Sequence, residues 1–288
     1  MPPARVALWV LSLGGLALLA RSLLGDPPPL WLAVTALLVY VVFATLGVVF
    51  PQLETYGDVL WRGSHGVALT FDDGPHPETT RRVLAILAGR GQRATFFVVG
   101  RKVALYPDVV KEIHDAGHAL GLHGYHHDRL FSFKSPAYVR ADIERTQQAI
   151  EAACGERPSL FRPPIGHVSS RTARGASLAG VALVAWSLRV FDGVAKPAPE
   201  RVLARIRRGL RPGAIVLLHD AAERDDFEPT SIEALPAILD LIAERGLRCL
   251  RIDEMLVAQD GRVSKTESDQ ARDAERNQER QHAEHHGK

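Results

Sequence analysis

From Gly66 onward, apolar runs of strand length alternate along the chain with longer amphipathic runs. Strands separated by helical segments pair in parallel through crossover connections, so this alternation predicts an α/β protein with a parallel sheet and helices outside it. The seven strand candidates are 67–71, 94–99, 118–122, 159–162, 181–187, 214–219 and 247–251. The six helix candidates are 79–90, 107–116, 136–153, 170–178, 200–209 and 232–245. A single (β/α) barrel accounts for this order, and barrel active sites form at the carboxyl ends of the strands.

Two neighbouring carboxylates end the first of these strands. Asp72 and Asp73 follow the apolar run and precede Gly74 and Pro75, a pair that turns the chain. Two carboxylates so close together repel each other unless a cation or a shared proton lies between them. The pair therefore predicts a metal ion bound by one aspartate, with the other free to act as a base.

The segment 121–127 supplies nitrogen ligands for such an ion. His123 and His127 are four residues apart, but Gly121 and Gly124 disfavour a regular helix, so we place both histidines on a loop after a short strand. Two imidazoles and one carboxylate, with a position left open for water, form the ligand set of a catalytic zinc or a similar divalent ion. The alternative, a merely polar loop, is disfavoured once the aspartate pair is considered as well.

Two further segments carry polar groups next to apolar strands. Arg162 precedes two prolines, and it would suit a planar ion pair that keeps Asp72 ionised. The first backbone N–H after those prolines, on Ile165, could face a developing oxyanion. His219 ends the strand 214–219 and is a natural general acid. The alternatives are a solvated arginine on a stiff surface loop and a structural histidine.

These four segments resemble, in the same order, the motifs of the NodB-homology polysaccharide deacetylases, carbohydrate esterase family 4. The resemblance implies an irregular (β/α)7 barrel over residues 60–257 and a hydrolase of N-acetyl groups that uses one divalent metal ion, zinc first, with cobalt or nickel as alternatives. Carried over residue by residue, it implies Asp72 as general base, Asp73, His123 and His127 as metal ligands, Arg162 as the residue that orients the base, His219 as general acid and the Ile165 N–H as oxyanion donor.

The chain departs from the family pattern at three positions. Gly124 stands where the family has Ser or Thr, and Ile165 stands where an aromatic residue often follows the proline. Arg189 stands where we expect an aspartate in the remaining motif, whereas Asp192 is retained nearby. We predict that Asp192 is the carboxylate that orients His219.

The N-terminal region contains two apolar stretches, 6–20 and 30–50, and the second has no charged residue. A helix of about 20 apolar residues spans a bilayer, so we predict two transmembrane helices that form a hairpin anchor over residues 1–52. The first stretch could instead be a signal peptide, although no Ala-x-Ala cleavage site lies near Ala20. These features predict a bacterial-type inner or plasma membrane protein.

The charged residues do not determine on which side of the membrane the catalytic domain lies. In a hairpin, Arg5 and Arg62 lie on one side of the membrane and Arg21 lies on the other. Because basic residues are more frequent on the cytoplasmic side, this distribution slightly favours a cytoplasmic active site. A cleaved signal or a single span would place the site outside.

The net charge and the cysteines give no sign of several kinds of partner. The formal net charge is only +2, and no concentrated basic face is visible, so we predict no nucleic-acid partner. Cys154 and Cys249 show no zinc-type pairing, and no protein partner is indicated. The charged tail 259–288 lacks large apolar residues and is predicted to be disordered.

Three functions are compatible with these features. The favoured one is a membrane-anchored hydrolase that removes N-acetyl groups from an N-acetylhexosamine-containing polysaccharide of the cell envelope. The second uses the same chemistry to remove an acetyl or formyl group from a lipid-linked sugar. The third is a non-catalytic carbohydrate-binding protein on the same fold, which the retention of base, metal ligands and acid disfavours.

Overall fold

The computed structural model describes residues 1–193 and 196–255. The strands in this part of the chain are β1 (Val59–Leu60), β2 (Val67–Asp72), β3 (Thr95–Val98), β4 (Ala119–Leu122), β5 (Leu160–Phe161), β6 (Ala182–Val184), β7 (Leu188–Arg189) and β8 (Ala214–His219). They form one sheet in the order β1-β6-β5-β4-β3-β2-β8-β7, and every neighbouring pair is parallel. The result is a parallel-strand half-barrel, so the predicted α/β fold class is confirmed.

The α-helices of the described residues are α1 (Pro3–Leu23), α2 (Leu30–Val49), α3 (Thr79–Ala88), α4 (Gly100–Leu105), α5 (Pro107–Asp115), α6 (Pro136–Cys154), α7 (Ser170–Leu178), α8 (Pro199–Gly209) and α9 (Thr230–Glu244). Local sequence explains where several of them begin. Ser135 and Ser169 cap the amino ends of α6 and α7, because each side chain accepts a hydrogen bond from a backbone N–H in the first turn. Gly155, with a φ of 80°, ends α6 in the left-handed conformation that glycine adopts at low cost.

The sheet differs from the predicted strands at its edges. The segment 247–251 is not a strand: Cys249 forms a single parallel bridge with Val67. It lies beside the start of β2, and β3 occupies the same side of β2 from Thr70 onward. The predicted strand 181–187 is shorter, since β6 ends at Val184 and the chain re-enters the sheet as β7. The short elements β1, β7 and α4 were not predicted.

The two longest strands of the sheet, β2 and β8, are neighbours. Every residue of β2 is buried, and the two strands are in register over six positions. These strands are mostly apolar, apart from Thr70 and the polar residues at which they end, as expected for parallel strands covered by helices on both faces. The register places Asp72 opposite His219. The carboxyl ends of β2 and β8 thus bring a carboxylate and an imidazole together at one edge of the sheet.

The two N-terminal helices are each long and apolar enough to cross a membrane, and a signal sequence meets the same criterion. No residue of α1 and only Gly47 of α2 is buried. The predicted stretches 6–20 and 30–50 lie within or around these helices. The predicted tail 259–288, and the last two residues of the predicted domain 60–257, lie outside the described residues.

His118, just before β4, provides a pH-dependent contribution to stability. Its ring is buried and its Nδ1 accepts a hydrogen bond from the Ala94 N–H at 3.1 Å. Burial, with Arg251 and Arg93 nearby, lowers the pKa of His118 to about 4.

Because the unfolded state binds a proton at higher pH than the folded state, we expect this contribution to be complete above pH ~6.5. It should be lost as the pH falls towards 4, at a cost of about 3 kcal/mol in the free energy of unfolding. Unfolding curves of the full chain and of His118→Gln from pH 7 to pH 4 test this. The variant should lose less stability on acidification, and identical slopes would contradict the assignment.

Candidate active site

The polar residues singled out in the sequence lie together at the carboxyl edge of the sheet. Asp72 ends β2 and His219 ends β8, while Asp73 and His123 directly follow β2 and β4. Parallel strands present their carboxyl ends at the same edge, which is why residues far apart in the chain meet there. This edge surrounds a cavity of about 140 Å³. Its lining residues are Asp72, Asp73, His123, His127, Arg129, Ile165, Gly166, Trp186, Arg189, Gly193, Leu217, His219 and Glu223.

Three of these residues form a group that could hold a metal ion. One ligand atom from each of Asp73, His123 and His127 lies within 4.8 Å of the other two, and all three residues are buried. Asp73 Oδ1 is 3.4 Å from His123 Nε2 and 3.1 Å from His127 Nε2. Within the described part of the chain, this buried oxygen has no hydrogen-bond partner. A buried carboxylate oxygen without a partner, facing two imidazole nitrogens, fits a divalent cation with nitrogen and oxygen ligands.

The hydrogen bond of His123 leaves its inner nitrogen free to bind a metal. His123 Nδ1 lies 2.7 Å from the carbonyl oxygen of Arg162, which can only accept, so Nδ1 carries the proton. In the neutral imidazole, Nε2, which faces Asp73, then has its lone pair available. Burial opposes the ionisation of Asp73, but His123 and His127 hold the pKa of this carboxyl well below its usual range. The ionised form of Asp73 is therefore favoured, and its negative charge can bind a cation.

Arg162 is fully buried beneath the site. Its Nη1 donates to Asp72 Oδ1 at 2.6 Å and to Thr70 Oγ1 at 2.8 Å, and its Nη2 donates to the Ala185 carbonyl at 2.9 Å. The guanidinium also lies 4.1 Å from the centre of the Phe97 ring. The solvated-surface alternative for Arg162 is thus wrong. The ion pair keeps one Asp72 oxygen engaged in a fixed direction.

His219 is held by Asp192 in two ways. Asp192 Oδ1 lies 2.9 Å from His219 Nδ1, and Asp192 Oδ2 accepts the His219 backbone N–H at 3.0 Å. His219 Nε2 faces the candidate metal ligands and lies 4.0 Å from Asp73 Oδ2. Burial lowers the pKa of His219, but Asp192, together with Asp73 and Asp72, outweighs it and raises the pKa to about 9. These carboxylates therefore favour the protonated form of His219, which a general acid requires.

Ile165 lies on a tight turn at the rim of the cavity. Its φ of 53° is in the left-handed region, which a β-branched residue rarely adopts. The turn follows Pro163 and Pro164, and the Ile165 side chain is partly exposed. The sequence expectation of a backbone donor here remains a prediction, because its target is a reaction intermediate.

The histidine loop is fixed by a residue that sequence reasoning missed. Asp142 of α6 accepts the Tyr125 N–H at 2.8 Å. Gly124 has a φ of 75°, and a Cβ there would lie 3.1 Å from Pro164 Cγ and 3.2 Å from Asp142 Oδ1. Glycine at position 124 therefore fits a left-handed backbone conformation in a crowded loop, which α6 holds in place through Asp142.

Glu223 and Arg189 also line the cavity without having been predicted as site residues. Glu223 Oε1 lies 3.6 Å from His127 Nδ1, and Arg129 pairs with the same carboxylate at 2.5 Å. The Arg189 guanidinium lies 4.7 Å from the Phe191 ring centre. The only sequence signal for Glu223 was its position four residues after His219, in the loop that follows β8.

Comparison with known proteins gives consistent matches. The polysaccharide deacetylase family profile matches residues 62–184. A chitooligosaccharide deacetylase from Bradyrhizobium sp. (strain ANU 289) is 35% identical, over 68% of this chain and 92% of the relative. A peptidoglycan-N-acetylglucosamine deacetylase from Bacillus cereus is 34% identical, over 71% and 96%. The solved structure of a CE4 family pseudoenzyme from Bacillus anthracis matches with a TM-score of 0.63 and 29% identity over 71% of each chain.

Proposed function

Because this chain belongs to the polysaccharide deacetylase family, as its resemblance predicted, we propose that it is a metal-dependent hydrolase that removes N-acetyl groups from an N-acetylhexosamine-containing glycan of the cell envelope. The observation that carries the proposal is the metal-ligand group Asp73, His123 and His127 beside two separately held groups, Asp72 and His219. The similar pseudoenzyme means that the fold alone does not establish activity. The complete set of groups favours catalysis over the carbohydrate-binding alternative.

In the proposed reaction, water adds to the amide carbonyl and the C–N bond breaks, giving acetate and a free amine. A divalent ion held by Asp73, His123 and His127 would acidify the attacking water and polarise the carbonyl. Asp72 accepts the proton of that water through the oxygen that Arg162 does not occupy. His219 donates its proton from Nε2 to the leaving nitrogen, since an amine is a poor leaving group unless it is protonated. The Ile165 N–H is proposed to donate to the oxyanion.

Asp192 is proposed to set the protonation of His219, which predicts a pH effect. In Asp192→Asn the carboxylate that raises the pKa of His219 is gone, so His219 loses its proton at lower pH. We expect the alkaline limb of the kcat/KM profile to move towards neutral pH. A bound cation would lower the His219 pKa in both proteins, so the quantity to measure is the difference between their alkaline limbs. An unchanged alkaline limb would exclude His219 as the acid or Asp192 as its partner.

The direct test of the proposed function is acetate release by the full chain in detergent, with acetylated chitooligosaccharide as substrate. Activity should be absent after chelation and restored by zinc, cobalt or nickel, and the most effective ion would identify the metal. Acetate release that survives complete chelation would overturn the metal requirement. A metal-loaded, folded protein that releases no acetate from any acetylated glycan would favour the non-catalytic alternative.

We further propose that α1 and α2 anchor the protein in a membrane, with residues 1–52 as the anchor and 60–257 as the catalytic domain. The support is the length, apolar character and exposure of both helices. A reporter fused after residue 257 would determine which side of the membrane carries the domain. If the chain were instead cleaved near Ala20 and after α2, and the catalytic domain were released as a soluble protein, the proposal of a membrane anchor would be wrong.

A further inference from the structure

Exposed apolar side chains gather at the edge of the catalytic domain that carries the active site. Leu130 and Phe133, in the loop after β4, are 61% and 71% exposed, and Phe191, after β7, is 43% exposed. Ile165, at the cavity rim, is 39% exposed. Large apolar side chains exposed at one edge of a domain indicate an interaction surface.

The same edge is joined to the end of the apolar hairpin. The Val168 N–H, three residues after Ile165, donates to the Val48 carbonyl at 3.1 Å. Gln52 Nε2 donates to the carbonyl of Trp186, a cavity-lining residue, at 2.9 Å. Since Val48 lies in the last turn of α2, the cavity rim lies beside the end of this helix.

The segment that carries Leu130 and Phe133 is hydrogen-bonded to residues 169–171, which follow Val168 in the chain. The Ser169 hydroxyl, next to Val168, donates to the Ser132 carbonyl at 2.6 Å. Arg171 donates to the Phe133 carbonyl at 2.9 Å. The exposed loop and the rim of the cavity therefore flank one attachment point of the hairpin.

Among the described residues, the hydrogen bonds that join α1 and α2 to the chain after residue 53 lie towards one end of the hairpin, at Arg5 in α1 and at Ala44 and Val48 in α2. Gly47, packed against Thr55, is the one buried residue of α1 and α2. Nearly all of both helices is thus left for a bilayer, whose hydrocarbon core takes about 20 helical residues. If α2 spans that core, the membrane surface lies within about one helical turn, ~5 Å, of Val48.

We propose that the active-site cavity opens at the membrane surface, that Leu130 and Phe133 insert into the lipid interface, and that the substrate is an N-acetylated sugar linked to a lipid of the same bilayer. This inference rests on the proposed function and specifies its substrate class. Aromatic and aliphatic side chains are favoured at the lipid interface, and the proximity of the hairpin makes a bilayer the occupant of this surface.

The first test compares two substrates with the same sugar. The full chain in lipid nanodiscs is given an N-acetylchitobiosyl group joined through a phosphodiester to a long-chain alcohol, or the soluble methyl glycoside of the same disaccharide. Confinement to the bilayer raises the local concentration, so we expect kcat/KM to be at least about tenfold higher for the lipid-linked form. Equal values would overturn the inference and leave the proposed function intact. Hydrolysis of neither substrate by the metal-loaded protein would count against both.

The second test changes the surface without touching the cavity. Phe133→Ser and Leu130→Ser should lower the rate on the lipid-linked substrate several-fold and leave the rate on the soluble glycoside unchanged. The matched control is Leu178→Ser, because Leu178 is 44% exposed but ends α7 at the opposite edge of the sheet. If Leu130 and Phe133 variants behave like this control, the surface serves another partner and the inference fails.

A third measurement does not depend on activity. A spin label at Phe133→Cys, with Cys154→Ser and Cys249→Ser in the background, should be relaxed more by lipid-soluble oxygen than by a water-soluble nickel complex. The same label at Leu178→Cys should show the reverse. A label at position 133 that is as accessible to water as the one at 178 would contradict insertion.

Discussion

Asp73→Ala is expected to abolish stoichiometric metal binding and to lower kcat/KM for acetate release by about 10³-fold or more. Asp73 Oδ1 is the atom on which both imidazoles of the metal-ligand group converge, at 3.4 and 3.1 Å. Without it, two neutral nitrogens remain to hold a divalent ion. The ion's charge stabilisation of the transition state is worth several kcal/mol, and each 1.36 kcal/mol is a factor of about ten in rate.

The measurement pairs metal content with kinetics on the same protein samples. Asp73→Asn, which keeps the shape and removes the charge, should bind metal more weakly than the unmodified chain. Asp240→Asn is the matched control, because Asp240 is an exposed carboxylate on α9 that pairs with Arg90 far from the cavity. A folded Asp73→Ala protein with one metal per chain and near-normal turnover would remove the basis of the proposed function.

The long strands β2 and β8 could be predicted because their sequence signal is strong and local. The strand 214–219 was predicted with the bounds of β8, and 67–71 missed β2 by one residue. Each is an apolar run, interrupted only by Thr70 in β2, that ends in a polar group. The same pattern therefore indicates both the strand and the edge of the sheet at which its polar side chain lies. The convergence of Asp72 and His219 follows from this edge.

The sheet edges could not be predicted, because they depend on partners far away in the chain. β1 pairs with β6 across more than a hundred residues, as Val59 opposite Leu183, and is only two residues long. A two-residue strand has no periodicity to detect. The segment 247–251 is the opposite case, because it has a strand-like sequence but does not form a strand. It makes a single bridge to β2, at Val67, since β3 pairs with the same side of β2 from Thr70 onward.

Supporting residues of the site were missed for a related reason. Asp142 lies on a helix and Glu223 in a charged loop, and in both places a carboxylate is ordinarily solvated. Only the packing of α6 under the histidine loop, and the fold of the segment after β8, reveals that they face Tyr125 and His127. The local sequence pattern indicates the candidate catalytic and metal-binding residues, whereas the tertiary structure is needed to identify the residues that hold them in place.

Arg162→Leu is expected to destabilise the metal-free protein by about 3–5 kcal/mol, because it leaves the Asp72 carboxylate buried without its partner. For a domain of this size that is a fall of about 10 °C in the unfolding midpoint. Activity should also fall by about 10²-fold or more, since the proposed general base loses the contact that orients it. Unfolding of the full chain with chelator present measures the stability effect without a contribution from metal binding.

The double variant Arg162→Leu with Asp72→Asn separates the two roles of this pair. Removing both charges replaces a broken ion pair by neutral groups, so much of the lost stability should return. Activity should remain as low as in Arg162→Leu, because an amide cannot accept the proton of the attacking water. If stability did not recover, Arg162 would act mainly through Thr70 and the Ala185 carbonyl, its other partners. If activity did recover, Asp72 would not be the base, and the proton would have to be taken by another group in the cavity.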